Sequence, residues 1–270
     1  MRRLALIPIL ALVAGWPASS PKAQDSVFLE ELTWTEVRDR VRAGTTTVIV
    51  PAGGTEQNGP HMILGKHNYR VKFAAGEIAR RLGNALVAPV MAYVPEGDVD
   101  PPSGHMWAPG TITLPPEHFA KVVEYAARGF AAHGFTDIVL IGDSGPNQAP
   151  LKAVAELLSS EWATKAVRVL YAPAYYQSQA RDFTEWLKSQ GETADDIGSH
   201  GGLADTSLLL AVYPQGVRTD KLAPGRAGDG SGVTGDPRKA SAAYGKKGLD
   251  IAIESTVRQI RELRVASRRH

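Results

Sequence analysis

The sequence at 45–68 constrains the fold more than any other stretch of the chain. Residues 45–50 form a short β-branched and apolar run, which is too short for a buried helix and is typical of a core strand in a parallel sheet. Gly53 and Gly54 follow and allow the backbone to turn sharply where that strand ends. Because open α/β sheets bind ligands at the carboxyl ends of their strands, we expect a site in the next loop.

That loop is rich in side chains that bind metals or carry protons. Glu56, Asn58, His61 and His67 fall within twelve positions. Each one alone is compatible with an ordinary polar loop, in which an acid caps a helix and histidines are solvated. Four together on a glycine-rich loop after a buried strand favour a functional site.

Helical and extended patterns alternate along the rest of the chain. The principal helices are predicted at 69–82, 116–133, 149–163, 177–190 and 241–268, and further strands at 85–94, 137–141 and 166–172. This alternation predicts an α/β fold, a three-layer α/β/α sandwich with a mostly parallel sheet. A chain of 270 residues with 43% hydrophobic content can bury one large core, so we expect a single domain over 25–270.

Residues 1–24 have the layout of a secretory signal peptide. Arg2 and Arg3 precede an apolar run at 4–16, and small and polar residues follow it at 17–24. The run is too short to span a bilayer comfortably. We therefore expect a mature protein that begins near residue 25, is periplasmic or secreted, and has no membrane partner once the signal is removed.

Charge and cysteine content narrow the classes of function. The formal net charge is only +2, from 30 basic and 28 acidic residues spread along the chain, and this predicts no nucleic-acid partner. Cysteine is absent, which excludes disulfides, thiolate metal sites and cysteine nucleophiles. Histidine and carboxylate side chains must then carry any chemistry.

Five segments, in order, resemble the creatininase (creatinine amidohydrolase) family. They are Gly-Thr-Glu-Gln-Asn-Gly-Pro-His at 54–61, Pro-Gly-Thr-Ile at 109–112, the stretch 140–148, His-Gly-Gly with Thr-Ser at 200–207, and Gly-Val-Thr-Gly-Asp-Pro at 232–237. The resemblance covers almost the whole mature chain. It implies a creatininase-like fold, hydrolysis of carbon–nitrogen bonds other than peptide bonds at a two-metal centre, a small-molecule substrate, and a homo-oligomer, often a hexamer.

The positions that match the family's metal ligands are altered. Glu56 keeps the glutamate of the opening signature, whereas Asn58 stands in place of a histidine and His67 in place of an aspartate. In the second ligand segment Ser144 replaces a histidine and Pro146 replaces an acid. Asparagine, serine and proline are poor or impossible ligands for a tightly held transition metal. The chain is therefore expected to be a divergent, exported member without the usual two-metal centre.

The remaining side chains predict one divalent ion per chain, Zn²⁺, Mn²⁺ or Fe²⁺. Its expected ligands are Glu56, His67 and Asp143, and His61 or His105 could complete the set. The resemblance implies catalytic roles for Glu56 and for His200, which would shuttle protons. The residues expected to line the substrate pocket are Asn58, His61, His105, Trp107, Ser144 and Asp205.

These assignments predict a metal-dependent amidohydrolase that acts on a small non-peptide amide, cyclic amide or similar polar molecule. Creatinine is not the expected substrate, because the ligand set is altered. One alternative is a binding protein that kept the crevice and lost catalysis. A weaker alternative is a hydrolase with Ser144 as nucleophile and His200 as its base; a nucleophile elbow needs Gly-x-Ser-x-Gly, and Pro146 occupies the last glycine position.

Overall fold

The computed structural model describes residues 26–266, so the predicted signal peptide at 1–24 lies outside the described residues. Its central sheet consists of β1 Thr47–Ala52, β2 Ala85–Val87, β3 Asp137–Gly142 and β4 Arg168–Tyr171. The strands are all parallel and lie in the order β2-β1-β3-β4. The predicted parallel α/β sheet is confirmed.

Helices flank the sheet and connect its strands. They are α1 Trp34–Arg42, α2 Lys66–Leu82, α3 Pro116–Ala132, α4 Gln148–Glu161, α5 Ala174–Gln177, α6 Thr184–Ser189, α7 Ala194–Ile197, α8 Leu203–Val212 and α9 Ala242–Ala266. No helix within residues 26–266 is both long and apolar enough to cross a membrane.

The side chains of β1 and β3 alternate in direction, and this creates two apolar cores, one on each face of the sheet. Ile49 and Val139 face a cluster built with α2, α8 and α9, whereas Val48 and Leu140 face a cluster built with α3 and α4. Successive strand residues point to opposite faces, so each central strand contributes to both clusters. The result is the predicted three-layer α/β/α sandwich.

Three predicted elements differ from the structure by more than two residues at one end or in their interior. Helix α2 begins at Lys66 rather than at residue 69. The predicted strand at 85–94 is regular only over Ala85–Val87, because the chain beyond it turns into an irregular segment. The predicted helix at 177–190 is interrupted by a π-helix over Ser178–Phe183, a local widening that is frequent at functional sites.

These boundaries bring several segments together at one edge of the sheet. The loops after β1 and β3 leave the sheet side by side, since the two strands pair in register from Thr47 with Asp137 to Ala52 with Gly142. The first turn of α2 and the start of α8 lie over the same edge, because Lys66 contacts both Glu56 and Asp205. The predicted location of the site, at the carboxyl ends of the strands, agrees with this arrangement.

Candidate active site

Glu56 is the centre of the candidate site. It is 2% exposed, and two imidazoles contact its carboxylate directly: His67 Nε2 at 2.8 Å and His105 Nε2 at 3.2 Å. The Lys66 ammonium lies 3.5 Å away and His200 Nδ1 3.7 Å away. Residues from the β1 loop, α2, the 95–109 loop and the segment before α8 therefore meet at one carboxylate.

This carboxylate belongs to a closed cycle of ionisable groups, which are buried except for the partly exposed Asp205. Its members alternate acid and base in the order Glu56, His67, Asp143, Arg70, Asp205 and Lys66. Within it, Asp143 contacts His67 Nδ1 at 2.6 Å and Arg70 Nε at 3.2 Å. The Tyr175 hydroxyl donates a further hydrogen bond to Asp143 at 2.7 Å. The Gln179 amide also donates to Asp143, at 3.3 Å, so four residues hold this carboxylate.

Asp205 closes the cycle on the other side. It contacts Arg70 Nη1 at 2.6 Å and Lys66 Nζ at 2.8 Å, and it accepts the Gly201 N–H at 2.9 Å. Lys66 and Arg70 are 1% and 3% exposed. Buried charges of this kind are tolerated when each is paired and hydrogen-bonded, which is the case for both cations here.

The cycle fixes the charge of its members. Burial alone would raise the pKa of Glu56, but the neighbouring His67 and Lys66 charges lower it below the ordinary range. Burial alone would lower the pKa of His67, and the Glu56 carboxylate raises it above its usual value. The pKa of Asp143 is lowered despite burial, chiefly by Arg70. Charged acids and a charged imidazole stabilise each other in this arrangement.

The backbone and amide of Gln57 orient the two other histidines. His200 Nε2 lies 2.8 Å from the Gln57 carbonyl, which only accepts, so Nε2 carries the proton and Nδ1 faces Glu56 with a free lone pair. The Gln57 amide nitrogen lies 2.9 Å from His105 Nδ1, so His105 donates to Glu56 through Nε2. The two rings stack, with centroids 4.5 Å apart.

His200 and His105 are neutral bases in this setting. Burial and the nearby Lys66 charge lower the pKa of His200 to about 4. Burial also lowers the pKa of His105. The free nitrogen of His200 is therefore available as a ligand or proton acceptor near pH 7, whereas both ring nitrogens of His105 are engaged, one by Gln57 and one by Glu56.

Glu96 is a second buried acid beside Glu56, and the sequence reasoning missed it. It is 2% exposed, and burial together with the Glu56 charge raises its pKa to about 10. Its backbone carbonyl accepts a hydrogen bond from the backbone N–H of His105 at 2.9 Å. Space for its side chain depends on Gly54, where an added Cβ would lie 2.3 Å from Glu96 Oε1. Glu96 is therefore neutral at pH 7, and it anchors the loop that carries His105.

Two cavities meet at the histidine pair. The first has a volume of about 370 Å³ and includes Glu56, Lys66, Asp143, Tyr176 and Gln179 in its wall. The second has a volume of about 300 Å³ and lies against the glycine-rich segment at 226–234. His105 and His200 line both cavities. Three further predicted pocket residues lie on a cavity wall: Ser144 and Asp205 on the first, and Trp107 on the second. His67, predicted as a metal ligand, also lines the first cavity.

Asn58 and His61 lie behind the site and line neither cavity. The Asn58 amide donates to the backbone carbonyls of Glu56 at 2.8 Å and Ile63 at 3.1 Å. His61 is fully buried, with Nε2 3.0 Å from the Thr206 hydroxyl. Both side chains therefore brace the loop rather than contact a ligand, because their polar atoms face the protein interior.

Ser144 lines the first cavity, but the structure gives it no base. No histidine within residues 26–266 forms a hydrogen bond with its hydroxyl. His200, the base predicted for it, is directed at Gln57 and Glu56 instead. The arrangement lacks the nucleophile–base contact that a serine hydrolase requires.

Sequence reasoning also missed Lys66, Arg70 and Gln179. One signal was present for Lys66, because cations in the first turn of a helix are opposed by the helix dipole unless acids compensate them. Lys66 occupies that turn of α2, where no acidic residue lies, and Arg70 follows one turn later. Gln179, at the π-helix, contacts Arg70 Nη2 at 2.6 Å, and nothing in the sequence indicated that contact.

One divalent cation fits the residues present, and its best ligand group differs from the predicted one. One ligand atom each from Glu56, His105 and His200 lie within 4.8 Å of one another. Two imidazoles and one carboxylate suit Zn²⁺, Mn²⁺ or Fe²⁺. His200 already has a free lone pair on Nδ1 that can bind the ion. His105 can bind through Nε2 only after its ring proton moves to Nδ1, and the Gln57 amide must then turn.

The predicted ligands His67 and Asp143 are engaged differently. Both nitrogens of His67 contact carboxylates, at 2.8 Å from Glu56 and 2.6 Å from Asp143. Asp143 and Asp205 are both paired with buried cations. The cycle therefore leaves these acids no open position for a second metal ion.

Comparisons with known proteins agree with the fold. A family model described as creatinine amidohydrolase (Creatininase) matches residues 30–260. The chain is 30% identical to creatinine amidohydrolase of Pseudomonas putida over 200 residues, which are 73% of this chain and 76% of that protein. It is also 30% identical over 224 residues to the mycofactocin precursor peptide peptidase of Mycolicibacterium smegmatis, covering 74% and 78% of the two chains.

Solved structures give the same result. The manganese form of creatininase superposes with a TM-score of 0.73 at 27% identity, and the match covers 88% of this chain and 98% of the other. The two apolar cores, the parallel sheet and the loop that carries Glu56 all lie within the region that the family model matches. The chain therefore belongs to the creatininase family.

Proposed function

We propose that the protein is a metal-dependent hydrolase that cleaves a carbon–nitrogen bond in a small, polar, non-peptide amide or cyclic amide. One divalent cation would be held by Glu56, His105 and His200. The observation that supports this most is the convergence of these three ligand atoms within 4.8 Å where two cavities meet at the carboxyl edge of the sheet.

A bound divalent cation at this position would polarise a substrate carbonyl and lower the pKa of a water molecule. The protein's own contribution is orientation and charge. His67 and Lys66 hold the Glu56 carboxylate in place, and Gln57 fixes the ring of His200. His67, which lines the first cavity between Glu56 and Asp143, is the imidazole left beside the substrate when His200 binds the ion.

The dimensions of the site favour a small substrate. A first cavity of about 370 Å³ lies at the lower end of the range for small-molecule sites. The acids of the cycle are all paired with cations, so no carboxylate of the cycle is left for a positively charged substrate group. This supports a neutral amide at the reacting position.

A chelation experiment tests the proposal. Purified protein would be treated with EDTA, dialysed, and assayed on a panel of small amides and lactams before and after Zn²⁺ or Mn²⁺ is restored. We expect activity to disappear on chelation and return with the metal. His105→Ala should stay inactive after metal addition, whereas the matched control His118→Ala, on the exposed side of α3, should behave like the parent. Full activity in the chelated protein would contradict the proposal.

One observation favours a second candidate, a metal-free binding protein. The cations of the charge cycle already neutralise Asp143 and Asp205 without a metal ion. A protein of this kind would contain no metal as purified, yet a small polar ligand would raise its melting temperature. Retention of a metal ion through dialysis would exclude this candidate.

We also propose that the protein is exported and forms homo-oligomers. Export is supported by the pattern at 1–24, and oligomerisation by the family resemblance. Cell fractionation with N-terminal sequencing tests the first, and we expect a mature chain that begins near residue 25. Light scattering on the purified protein tests the second, and a monomeric mass would contradict it.

A further inference from the structure

The second cavity has a composition that indicates a ligand class. Of the residues in its wall, Arg226 is the charged side chain, and no acidic residue of the described chain lines it. Trp107 lies in the same wall and is 55% exposed. Glycine backbone makes up much of the remaining surface, at positions 104, 228, 230 and 232. One face of the cavity is thus aromatic, and its charge is positive.

The Arg226 guanidinium is available to bind an anion. It forms no hydrogen bond or ion pair with any residue that the structure describes. Asp229, an acid of the same loop on which the Arg226 charge acts, accepts the backbone N–H groups of Arg226 at 2.7 Å and Ser231 at 2.8 Å. Because those contacts hold the Asp229 carboxylate to its own turn, it stabilises the loop.

The position of the second cavity connects it to the chemistry. His105 and His200 form the boundary that it shares with the first cavity. A molecule whose reacting carbonyl lies beside these histidines therefore extends either towards the charge cycle or towards Arg226. The cycle acids are paired, so only the Arg226 side offers an unpaired charge to a substrate group.

We infer that the second cavity is a carboxylate subsite, and that the substrate of the proposed hydrolase is an N-acyl amino acid or similar amide that carries one carboxylate. The inference rests on the proposed function for the identity of the reacting bond. Arginine presents a planar pair of N–H donors that matches a carboxylate. One guanidinium matches a single negative charge, and the face of Trp107 suits a flat apolar group beside it.

A matched pair of probes tests the subsite by binding alone. Hippurate (N-benzoylglycine) carries an amide, an aromatic ring and a carboxylate, and hippuramide is its neutral counterpart. Isothermal titration of the purified protein at low ionic strength should show hippurate binding roughly tenfold more tightly, as expected for one charge-assisted contact. The preference should weaken as salt is added, since the cavity is open to solvent.

Two variants decide the assignment. Arg226→Gln should bind the two probes about equally. Arg38→Gln, which removes an exposed arginine on α1, should keep the preference for hippurate of about tenfold. Equal binding of the two probes to the parent, a preference that survives in Arg226→Gln, or no hippurate binding below about 10 mM would each overturn the subsite. Hydrolysis is measured separately in the chelation assay, so hippurate binding without metal-dependent activity on any amide of that panel would contradict the proposed function and leave the subsite standing.

Discussion

Replacement of Lys66 by methionine tests the charge cycle most sharply. The Lys66 ammonium lies 2.8 Å from Asp205 and 3.5 Å from Glu56, and the residue is 1% exposed. Methionine retains most of the volume of the lysine stem and removes the charge. The variant therefore leaves two acids short of one cation without opening a large cavity.

The expected loss of unfolding free energy in Lys66→Met depends on the partners that remain for the two acids. Removing one partner of a buried ion pair costs about 3 to 5 kcal/mol of unfolding free energy. Asp205 keeps Arg70 at 2.6 Å and its side chain is 19% exposed, while Glu56 keeps His67 at 2.8 Å. These contacts place the expected loss at the lower end of that range, about 3 kcal/mol.

Urea denaturation followed by circular dichroism measures this loss. Lys72→Met is the matched control on the same helix, because Lys72 pairs with Glu30 at the surface and both side chains are about two-fifths exposed. The control should lose less than about 1 kcal/mol. A Lys66→Met variant that unfolds within about 1 kcal/mol of the parent, or no differently from Lys72→Met, would refute the account of the cycle.

The remaining predictions concern pH. The pKa of Glu96 is raised to about 10 in the folded protein. The folded protein therefore keeps a proton that the unfolded chain releases near pH 4. Because of this difference, stability falls as the pH rises between these two values. Glu96→Gln should therefore be more stable than the parent by about 1 kcal/mol or more at pH 8, and a less stable variant would contradict this. The raised pKa of His67 gives stability that is complete below about pH 6.5 and is lost as the pH rises through the folded value. The stability gap between the parent and His67→Gln should narrow from pH 6 to pH 9, and a constant gap would show that His67 is not charged.

The architecture could be predicted because periodicity and strand length are local properties of the sequence. The alternation of β-branched runs with amphipathic segments gave the parallel sheet, and the glycines after β1 placed the site at its carboxyl edge. The loop residue at the centre of the site, Glu56, was identified for the same reason. His105 and Trp107 were expected in a pocket wall, and both line a cavity.

The pairing of side chains could not be predicted, because it depends on contacts between distant segments. His67 was expected to bind a metal together with Asp143, but in the structure these two residues bind each other. Glu96 lies 40 positions from Glu56 in the sequence, and no local pattern marks it as a site residue. Asn58 lies in the signature itself, yet its amide is directed at the backbone.

Elemental analysis of the purified protein tests the central claim most directly. The parent and His118→Ala, both prepared without chelator, should contain about one divalent ion per chain after dialysis, and His105→Ala and His200→Ala should contain almost none. Absence of metal from the parent would contradict the claim. Retention of the ion in both His105→Ala and His200→Ala, with loss only in His67→Ala, would contradict it as well and would return the ligand role to His67.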